Sequence, residues 1–165
     1  MSDWRLGRGT GRRNLLATSK MSDNEADDAG AASYEQKIKY VSAIAKPLAS
    51  RKSTKKVHKL VKKASQAKCV KRGVKEVVKA LRKGEKGFCI IAGDISPIDV
   101  ITHLPIMCED RQISYTYVPS KHDLGAAACT KRPTSCILIT PDASFSEKSL
   151  YDKLVKEASA ALLAK

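Results

Sequence analysis

The sequence predicts an α/β fold, a layered domain with helices on both faces of a small sheet, and three observations carry that expectation. Short apolar or β-branched runs at residues 87–92, 113–118 and 136–140 read as strands. They alternate with stretches whose apolar residues recur at helical spacing. The chain has 165 residues, 42% of them hydrophobic, enough for one domain with a real core plus some unstructured tail. No internal repeat is present.

Residues 1–20 hold five basic side chains against Asp3, with only Leu15, Leu16 and Ala17 as an apolar cluster, too short for a secretory leader. The same Arg-rich, acid-poor composition also fits a mitochondrial presequence. The reading adopted is a disordered extension, with the functional protein beginning at Met21. Residues 22–32 are acidic and small, so residues 1–32 as a whole are expected to stay unfolded and residues 33–165 to form a single domain. Gly7, Gly9 and Gly11 have neither a strand before them nor a helix after them, so they make no phosphate loop.

Residues 34–45 predict a short helix stopped by Pro47. Ser53 or Thr54 then caps a helix that buries Val57, Leu60, Val61 and Ala64 and turns its lysines outward; His58, among those lysines, is expected at the surface. Cys69 and Val70 suggest a brief edge strand. In the next helix Val74, Val77, Val78 and Leu81 line one face, Gly73 serves as N-cap, Glu76 suits the helix dipole, and Gly84 sits where a left-handed C-cap belongs. After the strand at 87–92, Pro97 opens a helix with Ile98, Val100, Ile101 and Leu104 as its apolar residues; Pro105 is expected to break it, leaving one or two turns at 106–111. Beyond the strand at 113–118 comes a helix at about 121–128, then the strand at 136–140. Ser144 and Glu147 form a capping box for a final helix with Leu150, Leu154, Ala158 and Leu162 inward.

The formal charge of +14 has one source. Residues 46–87 hold sixteen Lys or Arg against Glu76 and Glu85, so this window alone carries the whole net charge. A surplus so confined reads as a patch, the electrostatic footprint of a polyanion. A merely solvated face and a membrane surface are the competing readings, the second weakened because the helices offer Val and Ala but no Trp or Phe stripe. Arg72, Lys75 and Lys79 gather toward the amino end of the helix after Gly73, where backbone N–H groups also favour an anion.

Five cysteines with no CxxC pair argue against a disulfide scaffold and a zinc site; Cys89 and Cys136 read as small buried hydrophobes. His103 and His122 neighbour no nucleophile motif, and Asp94, though it follows a strand, has no partner carboxylate. No catalysis, cofactor, metal or small-molecule substrate is expected, and no run is long enough to span a membrane.

Taken together and in this order, GVKEVVKALRKGEKGFCIIAGDISP, HLPIMCED and YVPSKHDLGAAACTKRPT resemble the kink-turn-binding ribosomal-protein superfamily, and within it the branch found in H/ACA ribonucleoprotein particles. The resemblance covers about residues 34–165. It implies a three-layer α/β/α sandwich with a small mixed central sheet that clamps a sharply bent RNA. The family's Gly-x-Asn-Glu-x-x-Lys motif is similar to Gly73, Lys75, Glu76 and Lys79, in which Asn and Glu read base edges and Lys meets the backbone. A second contact is implied at Ile95 and Val100, and a third at Ala128, Cys129, Thr130, Lys131 and Arg132. Two positions depart from the pattern. Lys75 replaces an amide that both donates and accepts with a donor-only charge. Cys129 stands where Gly is more usual. Both favour phosphate affinity over base readout.

The implied function is that of a non-catalytic core subunit in the nucleus and nucleolus, including Cajal bodies, that holds H/ACA guide RNA for pseudouridylation of ribosomal and spliceosomal RNA, with telomerase RNA as a further client. Its implied partners are the pseudouridine synthase subunit, a small bridging subunit and a glycine-arginine-rich subunit. The rival readings are a kink-turn-binding subunit of a box C/D particle or ribosome, and a basic module that meets an acidic protein.

Overall fold

The computed structural model describes residues 33–141, 145 and 147–163. The expected disorder of residues 1–32 and the expected cap at Ser144 lie outside the described residues. At the centre is β2 (Phe88–Ala92), five apolar residues that are all buried, as a strand covered on both faces must be. β4 (Cys136–Ile139) runs antiparallel to β2 on one side and to β1 (Val70–Arg72) on the other, while β3 (Tyr115–Val118) pairs parallel with β2. The four-stranded sheet is therefore mixed, in the order β1-β4-β2-β3.

Strand alternation sends Phe88, Ile90, Ala92, Ile137 and Ile139 to one face and Cys89, Ile91, Cys136, Leu138, Tyr115 and Tyr117 to the other. The first face is covered by α2 (Arg51–Gln66), α5 (Lys121–Ala127) and α6 (Lys148–Leu163), and the second by α3 (Val74–Arg82) and α4 (Asp99–Asp110). This is the expected three-layer sandwich. Each fully buried Leu or Ile in these layers contributes roughly 1.5–3 kcal/mol relative to exposure.

Several local expectations are corrected. The first helix, α1, covers residues 33–38 and stops short of residue 45. The Ser42 N–H bonds the Gly93 carbonyl (2.9 Å), and Val41 and Ala45 pack over Gly93. The chain then runs beside β3, where Ala49 N–H donates to Tyr117 O (2.8 Å) and Tyr117 N–H to Pro47 O (3.0 Å). Covering that open sheet edge outweighs about two more turns of helix. The cap of α2 is Ser50, whose hydroxyl accepts from the Ser53 N–H, while Thr54 is buried and donates to Ser50 O (2.9 Å). The edge strand begins at Val70, not at the buried Cys69.

α4 is continuous through Pro105. An interior proline costs about 3 kcal/mol, but Ile101, Leu104 and Cys108 are fully buried on one face across it, and their burial offsets the loss. Pro97 precedes the helix through a cis peptide, and Ile98 is the N-cap.

Four helices end in the same way. In α3, Gly84 takes φ +79°, its N–H bonds Leu81 O and the Glu85 N–H bonds Ala80 O, which is a Schellman closure. α2, α4 and α5 repeat both bonds with Lys68, Gln112 and Cys129 at the positive-φ position.

Candidate nucleic-acid interface

The strand directions place the ends of β1, β2 and β3 and the start of β4 at one end of the sheet. Gly73, Asp94, Ile95, Lys121 and the 130–135 loop all lie at that end. Gly73 joins β1 to α3 at φ +87°, a region that glycine alone enters freely. Its N–H extends the sheet by donating to Cys136 O (3.0 Å), and its carbonyl accepts from the Val77 N–H (3.0 Å). A Cβ there would meet nothing within 4 Å, so conformation and not crowding requires the glycine, and the space above it is open. No side chain caps α3 from Gly73; instead Glu76 Oε2 accepts from the Arg72 N–H (3.1 Å). The first-turn N–H groups of the helix have no intrahelical acceptor and are available to an anion.

The facing wall is built by α5 and the loop after it. Ser120 caps α5, and Asp94 Oδ1 accepts from the Lys121 N–H (2.8 Å), tying the end of β2 to the helix start. At the far end, the Thr130 hydroxyl donates to Gly125 O (3.1 Å) and Arg132 O (3.0 Å), folding the loop back onto α5. A Cβ on Gly125 would lie 2.4 Å from Arg132 O, so only glycine lets the loop approach this closely. The result is an open groove of about 480 Å³ lined by Arg72, Gly73, Thr130, Arg132, Pro133, Thr134 and Ser135.

A second hollow lies between α3 and α4. It is floored by Val74 and Val78 and rimmed by Lys75, Lys79, Arg82, Lys83 and His103. Arg72, Lys75, Lys79, Arg82, Lys131 and Arg132 meet no carboxylate side chain in any ion pair among the described residues. Ion pairs occur elsewhere: Lys37–Asp123 (2.5 Å), Lys56–Glu157 (2.9 Å), Lys71–Glu85 (3.1 Å) and Lys63–Glu147.

Of the expected contact residues, the structure thus unites Arg72, Gly73, Thr130 and Arg132 around one groove and sets Lys75 and Lys79 in the adjoining hollow. Lys131 is exposed in the loop. Cys129 is also exposed, at φ +57°. Ala128 is buried in the core, and its carbonyl accepts from Ser65 Oγ (3.0 Å). Ile95 is half-buried and packs toward both sheet faces, and Val100 lies in the first turn of α4; neither lines the two grooves. Thr134, Ser135 and His103 also line these hollows, and no motif in the sequence marks them. Gly125 had a signal, since glycine inside a helix is disfavoured unless packing needs it.

Two electrostatic expectations change. The basic window is not one flat patch, because α2 and α3 cover opposite faces of the sheet. His58 is half-buried, and its Nε2 has no hydrogen-bond partner among the described residues. Burial lowers its pKa, Lys37 adds to that, and Asp123 opposes. Among the described residues, no group of three or more His, Cys, Asp or Glu is arranged to hold a metal ion, and no helix is long and apolar enough to cross a membrane.

Residues 55–149 match the Ribosomal protein L7Ae/L30e/S12e/Gadd45 family, and the chain belongs to it. The relatives are more particular. The chain is 51% identical over 146 residues to the H/ACA ribonucleoprotein complex subunit 2-like protein of Xenopus tropicalis, covering 88% of this chain and 97% of that one. It is 56% identical over 121 residues to the protein of the same description from Arabidopsis thaliana, covering 72% and 76%. Among solved structures, a Giardia lamblia 15.5kD RNA binding protein superposes with a TM-score of 0.69 at 29% identity, covering 73% of this chain and 99% of that one.

Proposed function

We propose that this protein is a non-catalytic RNA-binding core subunit of a box H/ACA ribonucleoprotein. The observation that carries the reading is identity of 51% with an H/ACA subunit 2-like relative over 97% of that relative's length. The groove at Gly73 supports it physically: unpaired cations and free helix N–H groups face an open glycine backbone, which suits a phosphodiester chain. In this reading Arg72, Lys79, Lys131 and Arg132 hold phosphates. Gly73 and Glu76 approach the bent strand, and Ile95, Val100 and the backbone of 128–130 flank it. The guide RNA is held for a separate pseudouridine synthase subunit, with a small bridging subunit and a glycine-arginine-rich subunit completing the particle in the nucleolus.

Lys75 decides how the RNA is chosen. An ammonium donates but cannot accept, so at this position it adds phosphate affinity and subtracts base readout. The test is titration of the purified protein with an H/ACA stem and with a kink-turn at several salt concentrations. Neutralising about five phosphates predicts a log–log slope of roughly −4 to −5. Lys79→Ala weakens binding to both RNAs alike, whereas Lys75→Asn raises the preference for the kink-turn over a version with its kink mutated. A slope near zero contradicts the basic edge as the binding surface, and equal affinity of Lys75→Asn for the two kink RNAs contradicts the role given to Lys75.

A further inference from the structure

We propose that the exposed lysine stripe of α2, Lys52, Lys59 and Lys62, is a second phosphate-binding surface that holds a double-stranded arm of the RNA continuing beyond the Gly73 groove. It rests on the RNA-binding reading and extends it to a helix on the other face of the sheet.

The sequence of α2, RKSTKKVHKLVKKASQ, contains no acidic residue. Lysines three and four apart repel by about 0.2–0.5 kcal/mol per pair in a helix, and here that cost is met by no acid on the same helix. Nor does a first-turn carboxylate complement the helix dipole. The outward lysines divide into sets with different neighbours. Lys56 and Lys63 reach across to Glu157 and Glu147 at the α6 side, where they serve packing. Lys52, Lys59 and Lys62 lie in exposed positions and meet no carboxylate among the described residues.

The stripe has the shape of a phosphate ladder. At 100° and about 1.5 Å per residue, Lys52, Lys59 and Lys62 fall within an arc of roughly 80° and span about 15 Å. A duplex carries about one charge per 1.7 Å of axis, so several phosphates pass in that length. No apolar side chain of α2 is exposed beside the lysines, because Val57, Leu60, Val61 and Ala64 are all buried. That argues against an amphipathic peptide or a bilayer, each of which needs apolar surface to bury.

The stripe also joins the first site. α2 ends at the loop that forms the groove wall, where Ser65 Oγ donates to Ala128 O (3.0 Å). The exposed residues at this junction are Gln66, Lys68 and Cys129, with no acid among them. α2 and α3 moreover both pack beside the edge strand β1. Their charges therefore form a collar around one sheet edge, and an RNA seated at Gly73 can continue along it.

The test uses the full chain with two kinds of RNA: a kink-containing hairpin cut close to the kink, and two longer versions of it, each with a duplex arm of about twelve base pairs added at one end or at the other. Wild type is expected to bind one of the extended RNAs about tenfold tighter at 0.1 M salt, with a slope steeper by roughly 2–3, as three further phosphate contacts require. Lys52→Gln/Lys59→Gln/Lys62→Gln removes that gain, leaves the short hairpin unaffected and melts no lower than wild type; Lys→Arg at the same positions keeps the gain. The proposal is overturned if neither arm tightens wild-type binding, if the Gln variant keeps the gain, or if it weakens short and long RNA equally. It is likewise overturned if the Gln variant loses an acidic protein partner while RNA binding is untouched. Failure of wild type to bind either RNA overturns this surface together with the RNA-binding reading; binding of the short hairpin without a gain from the arm overturns this surface alone.

Discussion

Gly125→Ala joins the packing of α5 to the groove proposed to bind RNA, and its effect can be worked from the geometry. The new Cβ would stand 2.4 Å from the Arg132 carbonyl oxygen, where ordinary contact begins near 3.4 Å, so helix and loop must part by about 1 Å. The Thr130 N–H and hydroxyl bonds to Gly125 O, at 3.0 and 3.1 Å, stretch or break with that movement. Overpacking costs about 1–3 kcal/mol, while alanine in a helix interior recovers about 1 kcal/mol relative to glycine. The net change in stability is then between nil and about 2 kcal/mol unfavourable. Thr130 and Arg132 meanwhile move away from Gly73, and losing one well-placed phosphate contact lowers affinity about fivefold, or roughly 1 kcal/mol. The control is Ala126→Gly, exposed on the same helix, which weakens the helix by about 1 kcal/mol without touching the loop. Urea unfolding and RNA titration at fixed salt should separate the two: Ala126→Gly loses stability and keeps affinity, whereas Gly125→Ala loses affinity out of proportion to stability. If Gly125→Ala binds RNA within twofold of wild type, the loop is not held for binding by this contact and the argument fails.

The other predictions concern strain and titration. Lys68, Gln112 and Cys129 each hold a positive φ that costs a side-chain-bearing residue about 1–2 kcal/mol, so each change to Gly should raise stability in urea by a net amount of about 0.5–1 kcal/mol, additively for separate helices. Only Cys129→Gly lies beside the groove, and it alone should also tighten binding of a kinked RNA; equal binding by all three would dismiss the side chain as an obstruction. The Tyr117 hydroxyl is buried without a hydrogen-bond partner among the described residues, so Tyr117→Phe should stabilise by about 1 kcal/mol, and clear destabilisation would reveal a partner. Burial first, and then the fields of Cys89, Cys108 and Glu109, push the Tyr117 pKa up to about 12. The native state thus keeps a proton that the unfolded chain releases near pH 10. Stability from this group is full below pH 10 and is lost as pH rises from 10 to about 12, a decline that should flatten in Tyr117→Phe.

What the sequence disclosed follows the physics of local signals. α3 was bounded correctly because both ends are written in glycine, Gly73 by its φ of +87° and Gly84 by +79°. The same closure at Lys68, Gln112 and Cys129 was illegible, since nothing in those side chains announces a left-handed backbone. Pro105 signals a break because its local cost is visible in the sequence, whereas the burial of Ile101, Leu104 and Cys108 that outweighs it is tertiary. The overlong first helix has the same origin. Val41 and Ala45 continue a helical spacing from Ile38, but the chain leaves the helix to pack on Gly93 and to line the edge of β3.

The charge window shows where periodicity stops being informative. Helical spacing tells which side of α2 and of α3 is buried, and both were read correctly in outline, but it does not tell against which face of the sheet. The three residues of β1 intervene between the two helices, and passage through that edge strand carries the chain from one layer to the other. Cations adjacent in sequence therefore come to lie around an edge and not across a plane. A flat patch would offer a single strand of phosphates one line of contact, and removing any lysine would weaken all RNAs in proportion. Under the two surfaces proposed above, a collar divides the work: the α3 side with the 130–135 loop would meet the bend, the α2 side would meet what extends from it, and the two contributions are separable by the length of the RNA.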